Sequence, residues 1–366
     1  LDFAWSEEQE ALRRSVIEFA RNELVSDVVA EDQAGEFSWD GWRNCARFGI
    51  QGMPAPEEFG GGGADALTML CALEALGYGC RNAGLIFSLN AHLWGAVMPV
   101  ALFGSDEQKR KYLPRLASGE WVGAQAVLEP GLAAPASGGW SLSGSRALVT
   151  NAGFADLVIV VAAAEGGLTA FVVEKGAPGF KVSPTVETMG LRTSPAADAT
   201  FEGCVVSDSN RLGETGSGPA ILAAAGEWER ISVLAGELGM MQRQLETSVR
   251  YAAERRQFGQ PIGRFPAITD KIANMDVRLE TARLVLYKAA WLKRQGKNPL
   301  RESAIAKAHV ADAAIQICRD ALQIHGGYGY MTEYQIERDL RDAISEKVFS
   351  RAGDSEKRII AGAHGL

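Results

Sequence analysis

From Pro219 onward the chain carries four long stretches, residues 221–253, 268–295, 302–324 and 334–349, with apolar side chains three and four positions apart. Each stretch is a helix with an apolar stripe, and stripes of that length are buried most economically against one another. Long antiparallel helices predict a four-helix bundle at the C-terminal end. Ahead of it the pattern changes. Residues 158–162, 168–173 and 200–206 are short β-rich runs, separated by Gly166-Gly167 and by Lys175-Gly176-Ala177-Pro178-Gly179. They predict a small β-domain. Before Trp121 the pattern is helical again. Ser6-Glu7-Glu8-Gln9 fits a capping box, residues 64–77 predict a helix ending at a glycine, and residues 106–119 a short charged helix. The glycine run Gly60–Gly63 is not followed by Gly-Lys-Ser/Thr, so it reads as a turn and not as a phosphate loop. The expected class is α+β, mostly α: a helical domain over 1–120, a β-domain over 121–215 and a four-helix bundle domain over 216–366.

Charge and composition exclude several classes. The net charge is −8, and no basic cluster is interleaved with aromatics, so nucleic acid is not an expected partner. Cys45, Cys71, Cys80, Cys204 and Cys318 form no Cys-x-x-Cys pair, and His92, His309, His325 and His364 have no ligand spacing. The expectation is buried thiols in a reducing cytoplasm and no metal. The most apolar run, 83–103, is interrupted by Asn90, His92 and Pro99, which predicts a core helix and not a membrane span. The N-terminal residues are acidic and amphipathic, unlike a secretory leader.

Two motifs close two of the long helices: Arg255-Arg256-Gln257-Phe258-Gly259, and Gln323-Ile324-His325-Gly326-Gly327-Tyr328-Gly329-Tyr330. Together they resemble the flavin-adenine dinucleotide (FAD) site of the acyl-CoA dehydrogenase family. The resemblance continues in order along the chain, through the segment 103–114, Glu129-Pro130-Gly131, Val149-Thr150-Asn151 and Arg341-Asp342-Ala343. It implies the acyl-CoA dehydrogenase fold, an enzyme with FAD as cofactor, a homo-oligomer (a dimer or a dimer of dimers) and an electron acceptor that the sequence leaves unidentified. It also implies that Val127, Thr150, Arg255, Phe258, Gln323, Gly326 and Gly327 bind the cofactor, with Arg255 reaching the FAD of the neighbouring subunit. The chemistry agrees: a guanidinium fork suits a pyrophosphate, and glycines allow close backbone approach.

Dehydrogenation beside a thioester carbonyl requires a carboxylate to take a proton while the flavin takes hydride. Where most of the family carries that glutamate, shortly after Arg-Asp-Ala, this chain has Ser350. In the isovaleryl-type branch the base lies earlier, in a Glu-Arg pair, and Trp228-Glu229-Arg230-Ile231 resembles that run. The resemblance therefore assigns Glu229 as the base and Arg230 as a residue orienting substrate or carboxylate.

Three departures bear on the substrate. The loop between Gly131 and Thr150 is shorter than the family pattern and lacks the Gly-Ser-Asp run that helps hold acyl-CoA. Leu148 replaces a flavin-stacking tryptophan, and Leu128 replaces a hydrogen-bonding threonine. A thioester on the phosphopantetheine arm of an acyl carrier protein fits these changes. The chain is most similar to the carrier-dependent dehydrogenases that make hydroxymalonyl or methoxymalonyl extender units for polyketide and antibiotic biosynthesis. Three alternatives stand beside that expectation: a short branched-chain acyl-CoA dehydrogenase, a flavin monooxygenase on the same fold, and a non-catalytic flavin-holding module.

Overall fold

The computed structural model describes residues 5–348 and 354–366; Ser350 lies outside them. Helix α1 (Glu7–Glu23) starts at the expected capping box: Gln9 N–H donates to the Ser6 hydroxyl, and Ser6 N–H donates to the Gln9 side chain. Two short helices that sequence periodicity did not indicate follow, α2 (Val28–Ala34) and α3 (Trp39–Phe48), each ending on a left-handed glycine. Then come α4 (Ala66–Gly79), α5 (Ala83–His92), a π-helical turn (Leu93–Val97), α6 (Met98–Phe103) and α7 (Asp106–Ala117). Within the apolar run 83–103, 83% of its 18-residue apolar window is buried in the protein, as a core helix should be.

The β-domain holds β1 (Gly123–Ala136), β2 (Gly139–Thr150), β3 (Leu157–Ala164), β4 (Gly167–Glu174), β5 (Phe180–Val182), β6 (Ala196–Ser207) and β7 (Arg211–Leu212), in the spatial order β5-β6-β2-β1-β3-β4-β7. β1 and β3 are parallel, and the other neighbouring strands are antiparallel. The three predicted runs fall in β3, β4 and β6. The segment read as a shortened loop is a strand pair: β1 and β2 pair from Gly131↔Gly144 to Ala136↔Gly139, leaving Ser137-Gly138 as the whole connection. Gly138, at φ 83°, supplies the left-handed backbone that such a two-residue turn needs. No chain remains there to reach over a substrate.

The bundle is α8 (Gly218–Glu254), α9 (Pro266–Arg294), α10 (Leu300–His325) and α11 (Ile336–Val348), with a hairpin of β8 (Arg256–Gln257) and β9 (Gln260–Pro261) between the first two and a final α12 (Asp354–Gly362) packed on α10. Helix α4 joins the bundle by crossing α8 in backbone contact. A Cβ at Gly77 would stand 2.1 Å from the Gly236 carbonyl oxygen, and one at Gly239 2.1 Å from that of Glu74. Glu74, buried at this crossing, accepts from Arg283 (3.0 and 2.8 Å) and Tyr287 (2.6 Å), so its charge is paired and α4 is tied to α9. One apolar core runs through the N-terminal helices and the bundle, and a second fills the β-domain.

Candidate active site

Helix α8, the β1–β2 pair and the π-helical turn converge on an open cavity of about 210 Å3. Glu229 of α8 lies on its wall, together with Thr150 at the end of β2. Local backbone explains how β2 reaches it. The pairing of β2 with β6 shifts register between Arg146 and Val149, Leu148 takes a left-handed φ of 54°, and the Leu148 N–H is held by Asp198 Oδ1 at 2.9 Å. Such a bulge re-aims side chains. Beyond Thr150, buried Asn151 donates to the carbonyls of Ser88 (3.0 Å) and Gly123 (3.3 Å), pinning the strand end to α5 and β1. His92 does the same for β1: its Nδ1 accepts from Gly123 N–H at 2.9 Å, and its Nε2 donates to Leu116 O at 3.1 Å. Burial pushes this imidazole down to about 4, so it is neutral and structural.

The opposite wall is aromatic. The π-helical turn places Trp94 in the cavity, where its ring stacks on Trp228 and its Nε1 donates to Asn90 Oδ1 at 2.8 Å. Gln125 of β1 also lines the cavity, and its Nε2 is buried with no hydrogen-bond partner among the described residues. At the edge, Arg146 pairs with Glu129 at 3.2 Å. Trp94, Asn90, Gln125 and Arg146 were not singled out from sequence as site residues. For Gln125 and Arg146, alternation along β1 and β2 was the available signal, and it is obscured there by glycine, serine and proline.

Glu229 is half-exposed and stands 3.8 Å from the ammonium of Lys307, a buried residue of α10. Arg230 is not on the cavity wall. It faces α10, with its Nε donating to Ser303 Oγ at 3.3 Å. Val127 is half-buried on β1, at the point where the β1–β3 register shifts, and is not on the wall either.

A second, larger cavity of about 640 Å3 lies at the other end of α8 and collects Arg255, Phe258, Gly326 and Gly327. Arg255 caps α8, and its guanidinium stands 5.5 Å from the Tyr328 ring centroid. Phe258, at φ 47°, is 92% exposed, which leaves a large apolar ring uncovered in the single chain. Gly326 ends α10 at φ 60°, and Cβ atoms at Gly326 or Gly327 would meet nothing within 4 Å, so this floor is open to a ligand. Gln323 is exposed on the last turn of α10, outside the lining. No residue is common to the two linings, so the predicted cofactor residues divide between two places.

Three family models cover the chain in order: acyl-CoA dehydrogenase N-terminal domain over residues 6–120, middle domain over 125–204 and C-terminal domain over 216–363. The chain belongs to the acyl-CoA dehydrogenase family. It is 34% identical to an L-prolyl-[peptidyl-carrier protein] dehydrogenase of Pseudomonas fluorescens, over 99% of each chain. Among solved structures it superposes on the prolyl acyl carrier protein oxidase AnaB with a TM-score of 0.97 at 41% identity, covering 99% of this chain and 100% of that one. It matches PigA with FAD and proline equally well, at 0.97 and 35% identity over the whole of both chains. The chain is accordingly an FAD-dependent oxidoreductase of the dehydrogenase type.

The residues present fit that cofactor. The larger cavity offers a guanidinium suited to a pyrophosphate, aromatic walls and an open glycine floor. The smaller one offers a buried, unpartnered amide donor and the Thr150 hydroxyl.

Proposed function

We propose that this enzyme oxidises a small acyl group held as a thioester on the phosphopantetheine arm of a carrier protein, with Glu229 as the proton acceptor. The observation that carries the reading is the 210 Å3 cavity, in which one carboxylate, Glu229, lines a compact space walled in part by Trp94. FAD, when bound, supplies the hydride acceptor. Glu229 takes the substrate proton from the same cavity, Thr150 holds the flavin edge, and Trp94 limits the length of the acyl group. The tight β1–β2 connection leaves no segment to grip a nucleotide handle, which supports a carrier arm over free CoA.

On this reading Arg255, Phe258, Gln323, Gly326 and Gly327 serve the FAD of a second subunit. Twenty-six residues of α8 separate Glu229 from Arg255, about 39 Å along a helix axis. One cofactor molecule does not bridge that span within a chain, so a homo-oligomer is required.

The first candidate for the acyl group is a prolyl-type ring, because the relatives carrying that name match the chain end to end. The second is the three-carbon hydroxymalonyl type indicated by the sequence resemblance, and Arg146 on the cavity wall gives that acid a cationic partner. Anaerobic bleaching of the flavin by prolyl-carrier, hydroxymalonyl-carrier and the matching CoA thioesters tests both. Faster bleaching by one carrier-bound thioester is expected. Equal rates with CoA and carrier at matched salt would refute the carrier reading.

A further inference from the structure

Strand β1 sends alternate residues to its two faces. Ala124, Ala126 and Leu128 enter the core of the β-domain. Gly123, Gln125 and Val127 face the helical domain. A Cβ on Gly123 would stand 2.2 Å from Ala96 Cβ, one on Gly95 would stand 3.2 Å from Gln125 Cβ, and Val127 packs against the helical core. The π-helical turn therefore crosses β1 at Gln125. On either side of Gln125 this face carries no side chain or an apolar one, so packing alone gives no reason for an amide there.

Hydrogen bonding within the chain gives none either. Gln125 lines the site cavity, and its Nε2 is buried without a partner among the described residues. The other polar side chains of the lining are engaged. Asn90 Nδ2 donates to Ile86 O at 2.9 Å, and its Oδ1 accepts from Trp94 Nε1 at 2.8 Å. Arg146 pairs with Glu129 at 3.2 Å, and Glu229 stands 3.8 Å from Lys307. Thr150, at the end of β2, is the donor placed at the flavin edge. A buried donor with no acceptor is destabilising, so the lining holds one group whose partner has to come from a ligand. Gln125 stands against Gly95, the residue next to Trp94, and Trp94 is the wall that limits the acyl group.

We propose that Gln125 determines specificity: its Nε2 donates to a nitrogen or oxygen lone pair on the acyl group, so that the enzyme selects acyl groups bearing a heteroatom over hydrocarbon groups of the same shape. A prolyl ring nitrogen and the hydroxyl of a hydroxymalonyl group both present such a lone pair beside the thioester carbonyl. A donor at this position also favours the neutral form of an amine, which is the form that has a lone pair to offer. A site built around a hydrogen bond discriminates strongly against the analogue that lacks the bonding atom, because the buried amide is then left unpaired.

This inference rests on the reading that the 210 Å3 cavity holds the acyl group. Its test is a ratio of ratios. Anaerobic flavin bleaching is measured with prolyl-carrier and cyclopentanecarbonyl-carrier, and with hydroxymalonyl-carrier and methylmalonyl-carrier, in the wild-type holoenzyme and in Gln125→Met. The intrinsic difference in reactivity within a pair is the same for both enzymes and cancels. For the pair that the wild type oxidises, the preference for the heteroatom should fall by about 10- to 100-fold in Gln125→Met, with FAD content and the visible flavin spectrum unchanged. Gln125→Asn keeps the amide, withdraws it by one methylene and disturbs packing less; its preference should fall by an intermediate amount. An unchanged preference in both variants overturns the proposal. Loss of FAD or a shifted flavin spectrum with the preference intact assigns the amide to the cofactor and overturns it as well. Equal rates with carrier and CoA thioesters refute the carrier reading alone, and the same ratio measured on the CoA thioesters still decides Gln125. A wild-type flavin bleached by none of these thioesters removes the functional reading and this proposal with it.

Discussion

Trp94 and Trp228 stack face to face, with ring centroids 5.0 Å apart and planes within 4° of parallel. The pair joins the π-helical turn to the residue directly before Glu229, so the wall that limits the cavity and the carboxylate that faces it are fixed together. Lys293 reinforces the stack: its ammonium lies 4.6 Å from the Trp228 ring centroid while pairing with Glu227 at 2.5 Å.

Replacing Trp94 should therefore change both substrate range and stability. Trp94→Leu opens the cavity wall, and acyl chains two to four carbons longer should become substrates. Each added methylene in such a pocket is worth about 1–3 kcal/mol. The lost stack and packing should cost on the order of 2–4 kcal/mol of stability. Relative bleaching rates across a series of carrier-bound acyl chains, with a thermal melt on the same samples, measure the two. An unchanged chain-length profile would show that another residue limits the cavity.

The bundle and the edges of the site were legible because their signals are local. Apolar spacing marked α8 to α11, a capping box marked α1, and two glycine-bearing motifs marked the larger cavity. What escaped depends on contacts far apart in sequence. Strands β1 and β2 contain Pro130, Pro135 and several glycines and serines, and they exist because each pairs with neighbours across the sheet. Trp94 enters the cavity through a π-helical turn that leaves no mark in the apolar pattern. Glu346 sits in a helix whose spacing was recognised, but its burial comes from the packing of α11 against α8 and α10. Arg230, expected to orient substrate or carboxylate, faces α10 and donates to Ser303 Oγ, a direction that spacing alone does not give.

Arg255 makes no ion pair with an acidic residue among the described residues, and it stands over Tyr328 at the open cavity. Arg255→Ala should weaken FAD binding by about 1.5–3 kcal/mol, the range for hydrogen bonds to a charged group. The loss should appear as flavin released on gel filtration, with the oligomer retained. Full flavin occupancy in a monomeric wild-type protein would refute the shared site.

Asp342 makes stability depend on pH. It is buried, accepts the Leu191 N–H at 2.6 Å, and is pushed by burial from 3.8 up to about 7. A carboxyl raised on folding binds more protons folded than unfolded between those two values. Its contribution to stability is therefore greatest at low pH and falls as pH rises from about 4 to about 7. Asp342→Asn keeps an acceptor for Leu191 and removes the titration. Relative to wild type, the variant should gain on the order of 1–2 kcal/mol between pH 5 and pH 8, seen as a few degrees in Tm. A difference in Tm that is the same at both pH values would count against the assignment.

Glu229→Gln tests the chemistry directly. The amide keeps the shape of the carboxylate and its contact distance to Lys307 but cannot accept a proton. Loss of a general base costs about 10²–10⁴ in rate, and the anaerobic bleaching rate should fall by that factor with FAD content near normal, since no proposed cofactor contact is altered. Ser350→Ala, at the position where most of the family carries its base, should be mild by comparison. The pairing of the two variants is what makes the test sharp. If Glu229→Gln bleaches normally, proton removal has been assigned to the wrong carboxylate. If both variants are slow, the segment around Ser350 shares in the chemistry, and the base cannot be assigned to α8 alone.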